Sequence, residues 1–272
     1  MKIITMATLK GGAGKSMNAF NIAGILAEKK KVLLIDIDPQ CNLSANCGID
    51  ISDRDTYSIR DVFDNKPSEQ PTPEQVIIKS PIEELPKLDI IPSSIYLFKT
   101  EKSLYAKGDR ERILEKYVAK NKEIFNYYDY IIIDTNPSMS FTNTNAFVIA
   151  DEIILSCDVS ANSITGAELF CELWDETRDE LGKEDNISAM IISNFDGRSN
   201  LAKDLSKYTQ DTAFSKDIVI NTYISTTVKL KETEAFHKPI NILEPKHKAC
   251  EQYREVVKEL RKREVFWYGK KS

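Results

Sequence analysis

Residues 7–20 read ATLKGGAGKSMNAF, and the rest of the chain is interpreted from this stretch. Three of the chain's ten glycines, Gly11, Gly12 and Gly14, stand between Lys10 and Lys15 and surround Ala13. An apolar run, IITMAT (3–8), precedes them, and a helix-like stretch begins at Lys15. Strand, glycine-rich turn and helix together form the setting in which such a loop cradles phosphate. Glycines let backbone N–H groups turn towards an anion with no Cβ in the way. The helix start adds partial positive charge. On this reading Lys15 reaches the terminal phosphates and the Ser16 hydroxyl ligates Mg²⁺. The common spacing G-x-x-x-x-G-K-[ST] asks for glycine at position 9, where this chain has Leu9. What stands here is K-G-G-A-G-K-S, with a second lysine whose purpose the loop alone does not explain. A glycine-rich turn that binds nothing is the competing reading.

Two acidic motifs weigh against that reading. In LLIDIDPQCNLS (33–44), Asp36 and Asp38 are two residues apart, so on a strand they share one face. Asp38 sits near the carboxyl edge, where open α/β sheets bind ligands, and can orient a water or a hydrated Mg²⁺. In YYDYIIIDTNPS (127–138), apolar residues lead to Asp134, again at a strand end. That arrangement places an acid close to Mg²⁺.

Short Val/Ile/Leu runs predict buried strands at 3–8, 32–38, 88–93, 130–134, 152–157, 189–195 and 218–224, with a further candidate, PINIL, at 239–243. Amphipathic stretches at 15–29, 109–125, 162–181, 199–213 and 246–264 predict helices. Strand–helix alternation implies one doubly wound α/β domain, a mostly parallel sheet with helices on both faces, over 1–265. The proline-containing segment 50–87 reads as an irregular rim insertion of short helices and loops, and 266–272 as a frayed tail.

The composition bounds the function. No apolar stretch approaches the ~20 residues that span a bilayer, and no signal-peptide pattern opens the chain, so a cytoplasmic protein is expected. Five cysteines without a C-x-x-C pair read as reduced structural thiols, and two histidines leave no His-rich metal site. The net charge of −5 disfavours binding nucleic acid through the whole surface. From 246 to 272, however, nine Lys/Arg face four Glu, so a local basic patch is available.

These motifs resemble the ParA family of partition ATPases, in the deviant Walker A group that also holds MinD, the arsenite-pump ATPase and the nitrogenase iron protein. The signature K-G-G-x-G-K-[ST] appears as Lys10–Ser16, D-x-D-P-Q as Asp36–Gln40, and the Walker B strand as Ile131–Asp134. The two prolines usual after that strand are Asn136–Pro137 here. The segments SNFDGRSNL (193–201) and VKLKETEAFHKPINILEPKHKACEQYREVVKEL (228–260) extend the resemblance to nearly the whole chain, with 50–125 its weakest part.

The resemblance implies a P-loop ATPase that uses ATP and Mg²⁺ and forms a homodimer with two nucleotides sandwiched between subunits. Lys10 would reach the partner's phosphates, and Asp38 would orient the attacking water. Nucleotide contacts would come from Lys10, Gly11, Gly12, Ala13, Gly14, Lys15, Ser16 and Met17, with Asn194 at the adenine edge and Pro239, with Ile240, near the base. Ser16, Asp38 and Asp134 would serve the metal.

The resemblance also implies binding of DNA without sequence preference in the ATP state, through Arg198, Lys229 and Lys231, and a ParB-type centromere-binding partner. The protein would associate with the nucleoid and not with membrane. D-x-D-P-Q favours ParA over MinD, and the chain resembles the short type without an N-terminal DNA-binding extension. Two alternatives remain. A MinD-like membrane-cycling ATPase would use the aromatic and basic tail LRKREVFWYGKKS (260–272). A metabolic enzyme of the same P-loop class would have no use for Lys10.

Overall fold

The computed structural model describes residues 1–50, 56–212 and 214–266. Its centre is a seven-stranded sheet in the order β3-β4-β2-β5-β1-β6-β7. The strands are β1 (Lys2–Ala7), β2 (Val32–Asp36), β3 (Ile78–Lys79), β4 (Leu88–Ile91), β5 (Tyr130–Asp134), β6 (Glu152–Asp158) and β7 (Ile187–Ser193). Only β3 pairs antiparallel, at the edge against β4. The others run parallel, so their carboxyl ends and the loops that leave them gather along one edge of the sheet.

Both faces are covered, which explains the near-continuous apolar strands. Ile4, Leu34 and Ile132 point to one face, where they meet Phe20, Tyr253 and Val257 of the helices Lys15–Ala27 and Lys248–Lys262. Their neighbours Ile3, Leu33 and Ile131 point to the other, against Phe63, Leu114 and Tyr117. A third cluster places Phe147, Phe170 and Trp174 over Leu155 and Ile192. The alternation along each strand divides one apolar run between two cores.

Several expectations need correction. PINIL (239–243) is not a strand: Pro239 caps a short helix, Ile240–Leu243. The run 218–224 forms no strand of the sheet and contributes one isolated bridge, Val219 to Met190. Helices Leu97–Leu104 and Phe141–Ile149 were not anticipated. Segment 50–87 is more integrated than a rim insertion: it supplies β3, and Ile59, Val62, Phe63, Val76 and Ile77 enter the core. Phe266 does not fray. It is fully buried and meets the Tyr130 ring edge-on at 5.3 Å. The remainder of the expected tail lies outside the described residues.

Candidate nucleotide site

The loop between β1 and the helix Lys15–Ala27 is shaped by two glycines in the left-handed region, Gly12 (φ 82°) and Gly14 (φ 81°). A side chain at Gly14 would also come within 3.0 Å of Ser193 Cβ. Gly14 stands at the helix N-cap, and no side chain caps that terminus. The first-turn N–H groups therefore remain available to an anion. The loop forms one wall of a cavity of about 470 Å³, lined by Lys10 through Asn18, Asp38, Gln40, Asn194 and residues of the 224–234 segment.

The two signature lysines are held differently. Lys15 is buried under the loop, with its ammonium 2.5 Å from Asp134 Oδ1. The other oxygen, Oδ2, is buried and has no hydrogen-bond partner. Lys10 lies at the rim, about one-third exposed, with its ammonium 2.7 Å from both Asp158 Oδ2 and Ser160 Oγ at the end of β6. Ser16 and Met17 line the cavity on the first helical turn.

The two acids of the second motif do not share a face, because β2 ends at Asp36. Asp36 turns inward. Its carboxylate accepts the Ser44 N–H (2.8 Å), the Ser44 hydroxyl (2.7 Å) and the Asp38 N–H (3.0 Å). It is the register partner of Asp134 on β5, and burial, followed by the charge of Asp134, pushes it up to about 7. Asp36 thus fixes the loop, while Asp38 faces the cavity. Asp38 is 4% exposed, accepts the Gln40 N–H at 2.8 Å, and is held above the usual carboxylate range chiefly by burial.

Asn194 (φ 55°) donates to the Gly12 carbonyl at 3.1 Å, which ties the end of β7 to the loop. Pro239 and Ile240 do not line the cavity. Pro239 packs on Gly24, and the Ile240 N–H donates to Asn21 Oδ1 at 2.7 Å. The wall expected from them is supplied by Ile224, Thr226, Thr227, Leu230 and Glu234. Behind the loop, buried Asn18 accepts the Tyr253 hydroxyl at 2.8 Å and donates to Ser193 Oγ at 3.0 Å. No sequence spacing signalled either contact.

Two of the three residues expected on DNA are held in ion pairs. Arg198 pairs with Asp196 at 3.0 Å, and Lys229 pairs with Glu232 and Glu244 at 2.9 and 2.7 Å. Lys231 lines the candidate nucleotide cavity, as does Glu234. Among the described residues, no helix is long and apolar enough to cross a membrane, and no cluster of three or more His, Cys, Asp or Glu forms a metal cage. A loop that cradles phosphate and a metal shared with substrate oxygens would need no such cage.

Comparison with known proteins fits this geometry. The family model described as an AAA domain matches residues 1–188. The chain is 30% identical over 266 residues to the sporulation initiation inhibitor protein Soj of Bacillus subtilis, covering 95% of this chain and 98% of Soj. It is 29% identical over 265 residues to the chromosome partitioning protein ParA of Myxococcus xanthus, covering 97% and 89% of the two chains. A putative plasmid partition protein of Borrelia burgdorferi, solved bound to AMPPNP, matches with a TM-score of 0.77 and 25% identity, over 96% of this chain and 98% of that one.

Proposed function

This chain belongs to the ParA family of partition ATPases, and from that premise we propose that ATP acts on it as a dimerisation switch that controls DNA binding. The supporting observation is the division of labour between the lysines. Lys15 stands inside the site on Asp134, and Lys10 stands at the rim, its ammonium on Asp158 of β6 and Ser160 of the turn after it. When the β- and γ-phosphates of ATP enter the loop, Lys15 leaves Asp134 for them. Lys10 exchanges Asp158 and Ser160 for the phosphates of a second copy. Phosphoryl transfer depends mostly on positioning and charge, so a cation supplied in trans suits it.

The donor set fits Mg²⁺. Ser16 offers a hydroxyl on the first helical turn, Asp134 holds a buried oxygen with no partner, and Asp38 stands on the cavity wall. Bound there with the substrate, the ion would neutralise charge on the phosphate oxygens. Asp38 is the group proposed to orient the attacking water. Burial lifts it above the usual carboxylate range, which makes it a better proton acceptor than an exposed aspartate. Asn194, tied to Gly12, is proposed to read the adenine edge.

The ATP-bound dimer is proposed to bind DNA through phosphates without reading sequence, and to meet a ParB-type centromere-binding partner that stimulates hydrolysis. The protein would then cycle on the nucleoid and segregate plasmid or chromosomal DNA. Retardation of random-sequence DNA, measured with ATP, with ADP and without nucleotide, tests the reading. Binding only with ATP supports it. Equal binding in all three states, or none in any, contradicts it.

A further inference from the structure

Asn18 lies one turn into the helix Lys15–Ala27, and its side chain is fully buried behind the glycine-rich loop. Its amide is a hub. Nδ2 donates to Ser193 Oγ at 3.0 Å and to Ser156 Oγ at 3.2 Å, and Oδ1 accepts the Tyr253 hydroxyl at 2.8 Å. Ser193 Oγ also lies 3.3 Å from Oδ1. The partners come from three elements, β6, β7 and the helix Lys248–Lys262, and all three are buried. Asparagine is a weak helix former, and an apolar side chain would fill the same space with no polar groups to satisfy. A buried polar network of this kind specifies one arrangement, because a half-satisfied version is costly.

The arrangement it specifies is that of the loop. The Asn18 N–H makes the first backbone hydrogen bond of the helix, to the Gly14 carbonyl at 2.8 Å. The N–H groups of Lys15, Ser16 and Met17 therefore precede the helical ladder and stand at its open end. A small rotation of the first turn about the helix axis would move all three, and Asn18 is held against that rotation from three elements. Ser193 also limits the loop directly, since a Cβ on Gly14 would stand 3.0 Å from the Ser193 Cβ. Asn194, next in the chain, donates to the Gly12 carbonyl at 3.1 Å. The carboxyl end of β7 thus meets the loop and its helix at Gly12, Gly14 and Asn18.

We infer that Asn18 and Tyr253 are positioning residues for the phosphate loop. Through Asn18, a hydroxyl 235 residues further along the chain sets the direction of the N–H groups that receive phosphate. Both residues act through the loop. The inference rests on the nucleotide reading above. Loop donors hold the phosphates in the ground state and the transition state alike, so their misalignment weakens binding more than it slows turnover.

The test combines steady-state ATP hydrolysis by the full-length protein with Mg²⁺, ADP affinity by calorimetry, and the urea midpoint. Wild type is compared with Tyr253→Phe, Asn18→Leu and Tyr117→Phe. Tyr117 is the matched control: its buried hydroxyl donates to the Pro71 carbonyl at 3.0 Å, in the core on the opposite face of the sheet. Each tyrosine variant deletes one buried hydroxyl, and both are expected to lower the urea midpoint. Tyr253→Phe is expected to raise KM for ATP and Kd for ADP about 3- to 10-fold, the scale of one lost hydrogen bond, with kcat within about twofold of wild type. Asn18→Leu removes the hub and is expected to raise both by ~10-fold or more. Tyr117→Phe should leave both at wild-type values. If Asn18→Leu does not fold, Ser193→Ala takes its place, with a rise in KM and Kd expected. Wild-type KM and Kd in Tyr253→Phe, beside a lowered urea midpoint, overturn the inference and make the network merely structural. An equal rise in Tyr117→Phe overturns it as well. If wild type itself neither binds ADP nor hydrolyses ATP, the nucleotide reading fails, and this inference with it.

Discussion

Two lysines five residues apart carry the functional argument, and they differ in what holds them. Lys15 and Asp134 form a buried ion pair with one carboxylate oxygen left over. Breaking a buried pair from one side leaves an uncompensated charge and costs about 3–5 kcal/mol. Lys15→Ala is therefore expected to abolish ATP binding and also to lower the urea midpoint of the nucleotide-free protein. Adding Asp134→Asn should recover most of that stability without recovering ATP binding. A Lys15→Ala protein as stable as wild type would argue against the pair. Lys10 sits at the rim, where screening makes its pair with Asp158 weaker. Asp158→Asn should leave nucleotide affinity unchanged and lower the ATP concentration that produces dimer, as followed by light scattering. An unchanged concentration dependence would show that Asp158 does not compete for Lys10. The loop, Asp38 and Asp134 were legible because each has a local signature, an acid or a glycine run at the end of an apolar strand. The pairing of Lys15 with Asp134 was not, since 119 residues separate the two. The inward turn of Asp36 was hidden by one detail, the ending of β2 at Asp36 itself.

At the scale of elements, the strands were readable because burial on both faces leaves unbroken runs of Ile, Val and Leu, as in β5 (YIIID) and β2 (VLLID). Elements whose identity depends on neighbours were not readable. Phe141–Ile149 (FTNTNAFVI) is rich in Asn, Thr and other weak helix formers. Its start is capped locally by Ser140, whose hydroxyl accepts the Asn143 N–H at 3.3 Å, and from outside by Glu101, which accepts the Phe141 and Thr142 N–H groups at 2.7 and 3.2 Å. PINIL has the apolar content of a strand, yet Asn21 on the P-loop helix accepts the Ile240 N–H, and the segment turns into a short helix against it. That junction is tight: a Cβ on Gly24 would stand 2.6 Å from Pro239 Cβ and 2.7 Å from Asn241 Oδ1. Alanine gains up to ~1 kcal/mol of helix propensity over glycine, whereas overpacking against a proline ring costs about 1–3 kcal/mol. Gly24→Ala is thus expected to destabilise the protein in urea titration. A more stable variant would show that the 239–243 segment yields readily.

For the whole molecule, the parallel sheet gathers the glycine-rich loop, Asp38 and Asp134 at its carboxyl edge. With Lys10 at the rim of the site, nucleotide is expected to act on DNA binding by changing the number of protomers. Asp38→Ala should slow hydrolysis and accumulate the ATP-bound dimer, and undiminished phosphate release would remove Asp38 from the role of orienting water. The same variant gives the most direct measurement of the central claim, the molar mass in solution by light scattering with ATP and Mg²⁺. With ATP and Mg²⁺ the expected mass is twice the 30.9 kDa of one chain. The mass should fall to that of one chain when Lys10→Ala is added, with nucleotide still bound. A mass that ATP does not change, or a Lys10→Ala protein that dimerises as fully as its parent, would contradict it.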